Sequence, residues 1–159
     1  MKHTLAVLVE NKPGVMARTS GLFSRRGFNI DSLSVGVTND PDISRMTIVV
    51  NGDDRVLDQV RKQLGKLINV IKIVDLPSNN SVGRELVLIK VGVGIDTRSE
   101  IMQITDTFRA KIVDVGKDTL TIEVTGDEGK INAIIQLMDQ FGIKEMARTG
   151  KTALIRGEK

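Results

Sequence analysis

The sequence predicts an α+β protein made of two βαββαβ domains in tandem, each an antiparallel sheet with two helices on one face. Two observations predict this class. The same order of strand and helix patterns occurs twice in the 159 residues. One stretch rich in Pro, Asn, Ser and Gly, residues 77–83, separates the two occurrences and is typical of a linker. We therefore expect domains at residues 1–76 and 84–159.

The first half contains six predicted elements in the order strand, helix, strand, strand, helix, strand. Apolar residues are consecutive or alternate in the strands, and in the helices they recur at the spacing of one helix face. Gly27 ends the first helix, and Asp53 caps the second. The strands lie at residues 5–9, 30–37, 46–50 and 70–74, and the helices at 15–23 and 56–64.

The second half repeats this order. Thr97 and Glu100 have the spacing of a capping box ahead of a helix. Right-handed crossovers would turn each half into a ferredoxin-like, four-stranded antiparallel sheet. The strands lie at residues 86–91, 112–115, 120–124 and 143–147, with a possible short addition at 152–155, and the helices at 101–108 and 131–138.

This architecture covers one face of each sheet and leaves the other face bare. A bare apolar face and the unpaired N–H groups of edge strands both favour contact with a partner chain. Domains of roughly 75–80 residues are also marginal alone, because they bury little surface. We therefore expect a homodimer, formed by edge pairing or by sheet packing.

The composition excludes most catalytic chemistry. The absence of Cys removes disulfides, thiolate zinc sites, iron–sulfur clusters and a cysteine nucleophile. The single histidine, His3, excludes a Ser-His-Asp triad and a histidine metal cluster, and we expect it at the surface. Gly92-Val93-Gly94 lacks the third glycine of a dinucleotide site. The acid pair at residues 127–128 stands at a helix start, which indicates capping. We expect no catalytic residues and no metal site.

Charge and hydropathy also limit the partners. The 23 Lys and Arg against 20 Asp and Glu give a net charge of +3, without the basic stripe that a nucleic acid requires. The aromatic residues are four Phe, of which Phe23, Phe108 and Phe141 lie in or beside helical patterns rather than on strands that could stack bases. No apolar run approaches the length of a membrane span or a signal sequence. We expect a soluble cytoplasmic protein that binds neither nucleic acid nor membrane.

The segment from Asn11 to Val15 is the one candidate for ligand binding. It joins the first strand to the first helix, whose free N–H groups can hold a carboxylate. Gly14 has no Cβ, so a ligand could approach closely. Asn11 offers a donor and an acceptor, which suit a zwitterion, and Asn29-Ile30 could reach such a site from a neighbouring chain. The alternative is a turn that needs Gly and Asn for its backbone geometry alone.

These segments resemble a known family. Residues 5–18, LAVLVENKPGVMAR, resemble the opening of an ACT domain, a module that binds amino acids. Residues 21–33, GLFSRRGFNIDSL, and 40–48, DPDISRMTI, are similar to the small regulatory subunit of acetolactate synthase, also called acetohydroxyacid synthase. The resemblance includes RELVLIKV at residues 84–91 and covers essentially the whole chain.

The resemblance implies a regulatory protein rather than a catalyst. In that family a separate large subunit carries thiamine diphosphate, Mg and FAD, and it starts branched-chain amino acid biosynthesis, toward valine, leucine and isoleucine. The small subunit raises this activity and makes it sensitive to feedback inhibition by valine. The resemblance therefore implies no cofactor in this chain, a large catalytic subunit as its partner, and valine as its effector.

The resemblance also implies where valine binds, namely at the interface of two ACT domains. The alternative function is an ACT-domain sensor of another small effector that regulates a different enzyme. We assign no ligand to the second half. One chain would contribute Asn11, Pro13, Gly14, Val15 and Met16. Its partner would contribute Asn29 and Ile30.

Overall fold

The chain divides into two compact units in the computed structural model, which describes residues 1–157. Among the described residues, the first unit comprises 1–82 and 151–157, and the second comprises 83–150. The strands are β1 (Lys2–Glu10), β2 (Ile30–Val37), β3 (Ile43–Asn51), β4 (Val70–Asp75), β5 (Ser81–Gly92), β6 (Lys111–Val115), β7 (Thr119–Gly126), β8 (Ile143–Arg148) and β9 (Thr152–Ile155). The helices are α1 (Val15–Arg26), α2 (Asp54–Gly65), α3 (Arg98–Thr107) and α4 (Glu128–Asp139).

The first unit contains an antiparallel sheet in the order β2-β3-β1-β4. Leu5 on the central strand β1 lies opposite Ile48 of β3 and Asp75 of β4. Alternate residues of the strands face α1 and α2, because successive side chains of a strand point to opposite faces. The predicted α+β class with two helices on one sheet face is confirmed. The buried core comprises Leu5, Val7, Val9, Val15, Leu22, Phe23, Met46, Ile48, Val50, Leu57, Val60 and Leu64.

The helix ends of the first unit follow the predicted signals. Gly27 adopts a positive φ of 67°, and its N–H donates to the carbonyl of Phe23, which ends α1. Asp53 accepts a hydrogen bond from the Val56 N–H at 3.0 Å, which caps α2.

The second sheet repeats the strand order of the first as β6-β7-β5-β8 beside α3 and α4, and β9 joins it as a fifth strand by pairing with β5. Asp127 caps α4 by accepting from the Lys130 N–H at 2.9 Å. The predicted capping box at α3 is wrong. Thr97 stands at the N-cap, but its ψ of −14° is not extended, and its hydroxyl accepts from the Gly94 N–H at 2.9 Å instead. The Thr97 hydroxyl thus stabilises the loop before α3 and does not cap the helix.

The segment between the halves is more ordered than a linker. A short 3-10 helix covers Ser78–Asn80, and β5 already begins at Ser81. The Ser81 hydroxyl is buried and donates to the carbonyl of Pro77 at 2.8 Å. Local hydrogen bonds therefore order residues 77–81, although their composition is typical of a flexible linker.

The last strand, β9, returns to the first unit and lies on the sheet face opposite the helices. Ala153 is 3% exposed and packs with Ala6 and Leu76. The Lys151 N–H donates to the Ser32 hydroxyl at 2.8 Å. Arg156 donates its N–H to the Asn80 carbonyl at 2.9 Å, and β9 pairs with β5. This face is therefore not bare, since the small side chain of Ala6 leaves room for a covering strand. Residues 151–157, which the sequence places in the domain at 84–159, thus pack with the first unit while β9 pairs with β5.

His3 is not the surface residue that the sequence predicts. Strand β1 begins at Lys2, so His3 lies within the strand and opposite Val50. Its side chain is 15% exposed, with Nε2 3.9 Å from Asp54 Oδ1. Within residues 1–157 no helix is both long enough and apolar enough to cross a membrane.

The cap at Asp53 yields a stability prediction. Replacing Asp53 with Ala removes the acceptor of the Val56 N–H, and we expect the free energy of unfolding to fall by about 1 kcal/mol. Urea denaturation followed by circular dichroism measures this change. Asp58→Ala is the control, because Asp58 is exposed in the same helix and is not its cap. Equal losses in both variants would contradict the capping role.

Candidate functional site

The loop that joins β1 to α1 is tied to the turn between β2 and β3. The Asn11 N–H donates to the Asp42 carbonyl at 2.8 Å. The Asn11 side chain donates through Nδ2 to the Pro41 carbonyl at 2.9 Å. These two bonds fix the direction of the exposed Asn11 side chain, so the loop and the turn form one structural feature at this end of the sheet.

Gly14 forms the corner between this loop and α1. Its φ of 84° and ψ of −10° lie in the left-handed region, which favours glycine. The N-cap residue of α1, Gly14, provides no side-chain cap, and the first turn of α1 contains no acidic residue, whereas Asp53 and Asp127 cap α2 and α4. The first N–H groups of a helix have no acceptor within the helix and attract anions. The beginning of α1 can therefore receive a carboxylate.

Arg18 supports this corner from within the same unit. A Cβ on Gly14 would lie 3.3 Å from Arg18 Nη1. Arg18 Nη2 donates to Asn69 Oδ1 at 2.7 Å, and Asn69 is largely buried. A positive charge is thus held beside Gly14. The sequence interpretation missed this residue, although its four-residue spacing from Gly14 places both on one side of the helix.

An ion pair stands at the entrance of the loop. Lys12 Nζ lies 2.7 Å from Glu10 Oε2. The hydrogen bond from Lys12 and its positive charge lower the pKa of Glu10, and Glu10 in turn raises the pKa of Lys12. The Glu10 N–H also donates to the Asn69 carbonyl at 2.9 Å, which connects the end of β1 to the α2–β4 loop.

The candidate residues fall into two groups in one chain. The loop brings together Asn11, Pro13 and Gly14 with Val15, which is buried, and Met16, which is 40% exposed. Asn29 and Ile30 follow the other end of α1. A helix of 12 residues is ~18 Å long. One chain therefore presents the two groups at opposite ends of α1.

The second group nevertheless has a defined surface position. Asn29 is exposed, and its carbonyl accepts from the Asn51 N–H at 3.0 Å. Ile30 begins β2, an edge strand that pairs only with β3 within residues 1–157. Edge strands present unpaired N–H and C=O groups to other chains. Asn29 and the free edge of β2 are therefore available to a second copy of the chain, while the Ile30 side chain packs partly against the core.

Comparison with known proteins identifies the family. Residues 5–72 match the family model of the AHAS small subunit-like ACT domain, and residues 84–157 match that of the small subunit of acetolactate synthase. The chain belongs to the acetolactate synthase small subunit family. The resemblance found in the sequence is thereby confirmed along both units.

Individual relatives of the acetolactate synthase small subunit family agree along nearly their whole length. A probable acetolactate synthase small subunit of Archaeoglobus fulgidus is 62% identical, over 100% of this chain and 99% of that protein. The acetolactate synthase small subunit of Mycolicibacterium smegmatis is 56% identical, over 98% of this chain and 91% of that protein. The crystal structure of the small subunit from Thermotoga maritima superposes with a TM-score of 0.93 at 42% identity, covering 100% of this chain and 99% of that one.

The ion pair at the loop yields a pH prediction. Since the pKa of Glu10 is lowered in the folded chain, the pair stabilises the fold above the ordinary carboxyl pKa and loses this effect as the pH falls through the lowered value. Lys12→Met should raise the pKa of Glu10 toward its ordinary value, as measured by NMR titration of the side chain. Glu145, whose pKa Lys90 lowers in the second unit, is the internal control and should not change. An unchanged Glu10 titration would contradict the assigned pair.

Proposed function

We propose that this chain is the regulatory subunit of acetolactate synthase and acts in the cytoplasm. It binds a separate catalytic large subunit, raises its activity, and makes that activity subject to feedback inhibition by valine. Thiamine diphosphate, Mg and FAD would reside on the large subunit, and this chain would contribute no catalytic residue. The observation that carries the proposal is membership of the small subunit family along both units.

Valine would bind where the β1–α1 loop of one protomer meets Asn29 and Ile30 of its partner. The uncapped start of α1 suits the carboxylate of valine, and Arg18 adds a positive charge nearby. Amide carbonyls of asparagine can accept from the ammonium group. Met16, half exposed beside the loop, offers an apolar surface to the branched side chain.

The two groups of residues support a site that requires a homodimer of ACT domains. They lie at opposite ends of α1, so a second copy would supply the missing group across the β2 edge. A ligand held by two chains stabilises the arrangement of the dimer to which it binds better. A coupling of about 1–3 kcal/mol would change the apparent affinity by roughly 5–150-fold. Leucine and isoleucine would be weaker effectors, since one methylene changes binding by about 1–3 kcal/mol.

Reconstitution with a large subunit tests the proposal. Acetolactate formation is measured with the large subunit alone, with this chain added, and with valine titrated into the mixture. We expect stimulation by the chain and inhibition by valine that requires it. If the chain binds valine in calorimetry but does not affect the large subunit, it is a sensor for a different enzyme. If it neither binds valine nor stimulates the large subunit, the proposal is wrong.

Substitution at Gly14 tests the loop as the valine site. Gly14→Asp places a side chain against Arg18, at a φ that favours glycine, and adds a negative charge where the carboxylate would lie. We expect the reconstituted enzyme to show no inhibition at valine concentrations that inhibit the wild type. Gly65→Asp adds the same charge where a Cβ meets nothing within 4 Å, and should keep the inhibition. Full inhibition of the Gly14→Asp complex would refute the site.

Substitution at Asn29 tests the contribution of the second protomer. Asn29→Ala should weaken valine binding by about tenfold or more, since an unsatisfied polar group costs ~1–3 kcal/mol. Isothermal titration calorimetry measures the affinity. The matched control is Asn132→Ala, an exposed position in α4 of the second unit, which should bind valine like the wild type. Unchanged affinity in Asn29→Ala would remove Asn29 from the site.

A further inference from the structure

A cavity of about 510 Å³ opens on the face of the first sheet that is opposite the helices. It lies between the end of β2, the beginning of β3 and the returning strand β9. Its volume is in the range of small-molecule sites. The polar and apolar groups that line it include Ser34, Thr38, Arg45, Thr47, Thr152 and Leu154.

A missing side chain creates the space in front of Arg45. Gly36 of β2 lies directly opposite Arg45 of β3, and side chains of paired residues share one face of a sheet. A Cβ at Gly36 would meet no atom within 4 Å. The guanidinium group of Arg45 is therefore not covered by a neighbour on β2.

Arg45 has hydrogen-bonding capacity that the described chain does not use. Its Nη2 donates to the Ala153 carbonyl at 2.9 Å. Within residues 1–157 its buried Nε has no acceptor, and no carboxylate forms an ion pair with Arg45. Burial also lowers the pKa of Arg45, because desolvation disfavours its charge. A partly desolvated, unpaired cation is costly, and a bound anion offsets that cost.

The other groups around Arg45 are compatible with an anion. None of the residues that line the cavity is acidic. The hydroxyl protons of Ser34 and Thr38 are donated to the carbonyls of Lys151 and Ile43, respectively, so the guanidinium group of Arg45, rather than these hydroxyl groups, would supply the hydrogen bonds to an anion. Leu154, 60% exposed on β9, adds an apolar wall. The cavity thus combines one cation with hydroxyl groups and an apolar surface.

We infer that this cavity is a second ligand site, which binds a small organic anion through a carboxylate or phosphate group paired with Arg45. The site contains none of the residues proposed for valine and lies on the sheet face opposite the helices, whereas the β1–α1 loop lies at the end of the sheet. The inference therefore does not depend on valine binding.

Anion titrations of the full chain at constant ionic strength test the site. Isobutyrate serves as the carboxylate probe and inorganic phosphate as the phosphate probe, with sodium chloride as the reference. The readout is the NMR signal of the Arg45 side-chain Nε–H, which is identified by its absence in Arg45→Gln. We expect this signal to shift saturably with at least one probe. Which probe binds shows whether the site prefers a carboxylate or a phosphate group.

Two substitutions at one glycine provide matched variants. Gly36→Leu fills the space in front of Arg45, and Gly36→Ala leaves most of it open. We expect binding about tenfold weaker or absent in Gly36→Leu, as for loss of a charge-assisted hydrogen bond, and nearly unchanged in Gly36→Ala. Circular dichroism shows whether each variant is folded. If Gly36→Leu does not fold, binding to Arg45→Gln, followed through the NMR signals of other residues that line the cavity, decides the outcome. Absence of saturable shifts with both probes, or equal binding to Arg45→Gln and wild type, would overturn the inference.

Discussion

The backbone conformation of Gly14 is the constraint on which the proposed site depends. The positive φ at this residue lets β1 lead directly into α1 without a side chain at the corner. The buried residues of β1 and α1 fix the two sides of that corner. Asn11 bonds it to the β2–β3 turn through Pro41, and Arg18 bonds it to the α2–β4 loop through Asn69. A helix start whose N-cap residue provides no side-chain cap is thus held at the surface. Rigid presentation lowers the entropy that a ligand loses when it binds.

Most of the fold could be predicted because its signals are local. The alternation and the helical spacing of apolar residues locate the strands and helices. Gly27 marks the end of α1, and Asp53 and Asp127 mark the beginnings of α2 and α4. The packing of β9 on the first unit could not be predicted, because four residues with a strand pattern do not specify which sheet face they cover. The burial of the His3 side chain depends in the same way on how far β1 extends beyond its apolar run.

The candidate site could be predicted only in part. Asn11 to Met16 are consecutive, so one loop presents them together whatever the rest of the chain does. Arg18 and Asn69 are 51 positions apart, and only the folded chain shows that they form one support beside Gly14. Asn29 lies at the far end of α1, and no pattern within a single sequence states how two copies meet.

The return of β9 gives the chain an unexpected connectivity. The second unit is inserted between residues 82 and 151 of the first, so the polypeptide crosses from one unit to the other twice. A fragment that stops at residue 76 therefore lacks part of its own unit. Ala6 and Leu76 lose the Ala153 side chain that covers them, and Arg45 loses its carbonyl acceptor. Strand β9 thus completes the first unit, and the second unit is a domain inserted into the sequence of the first.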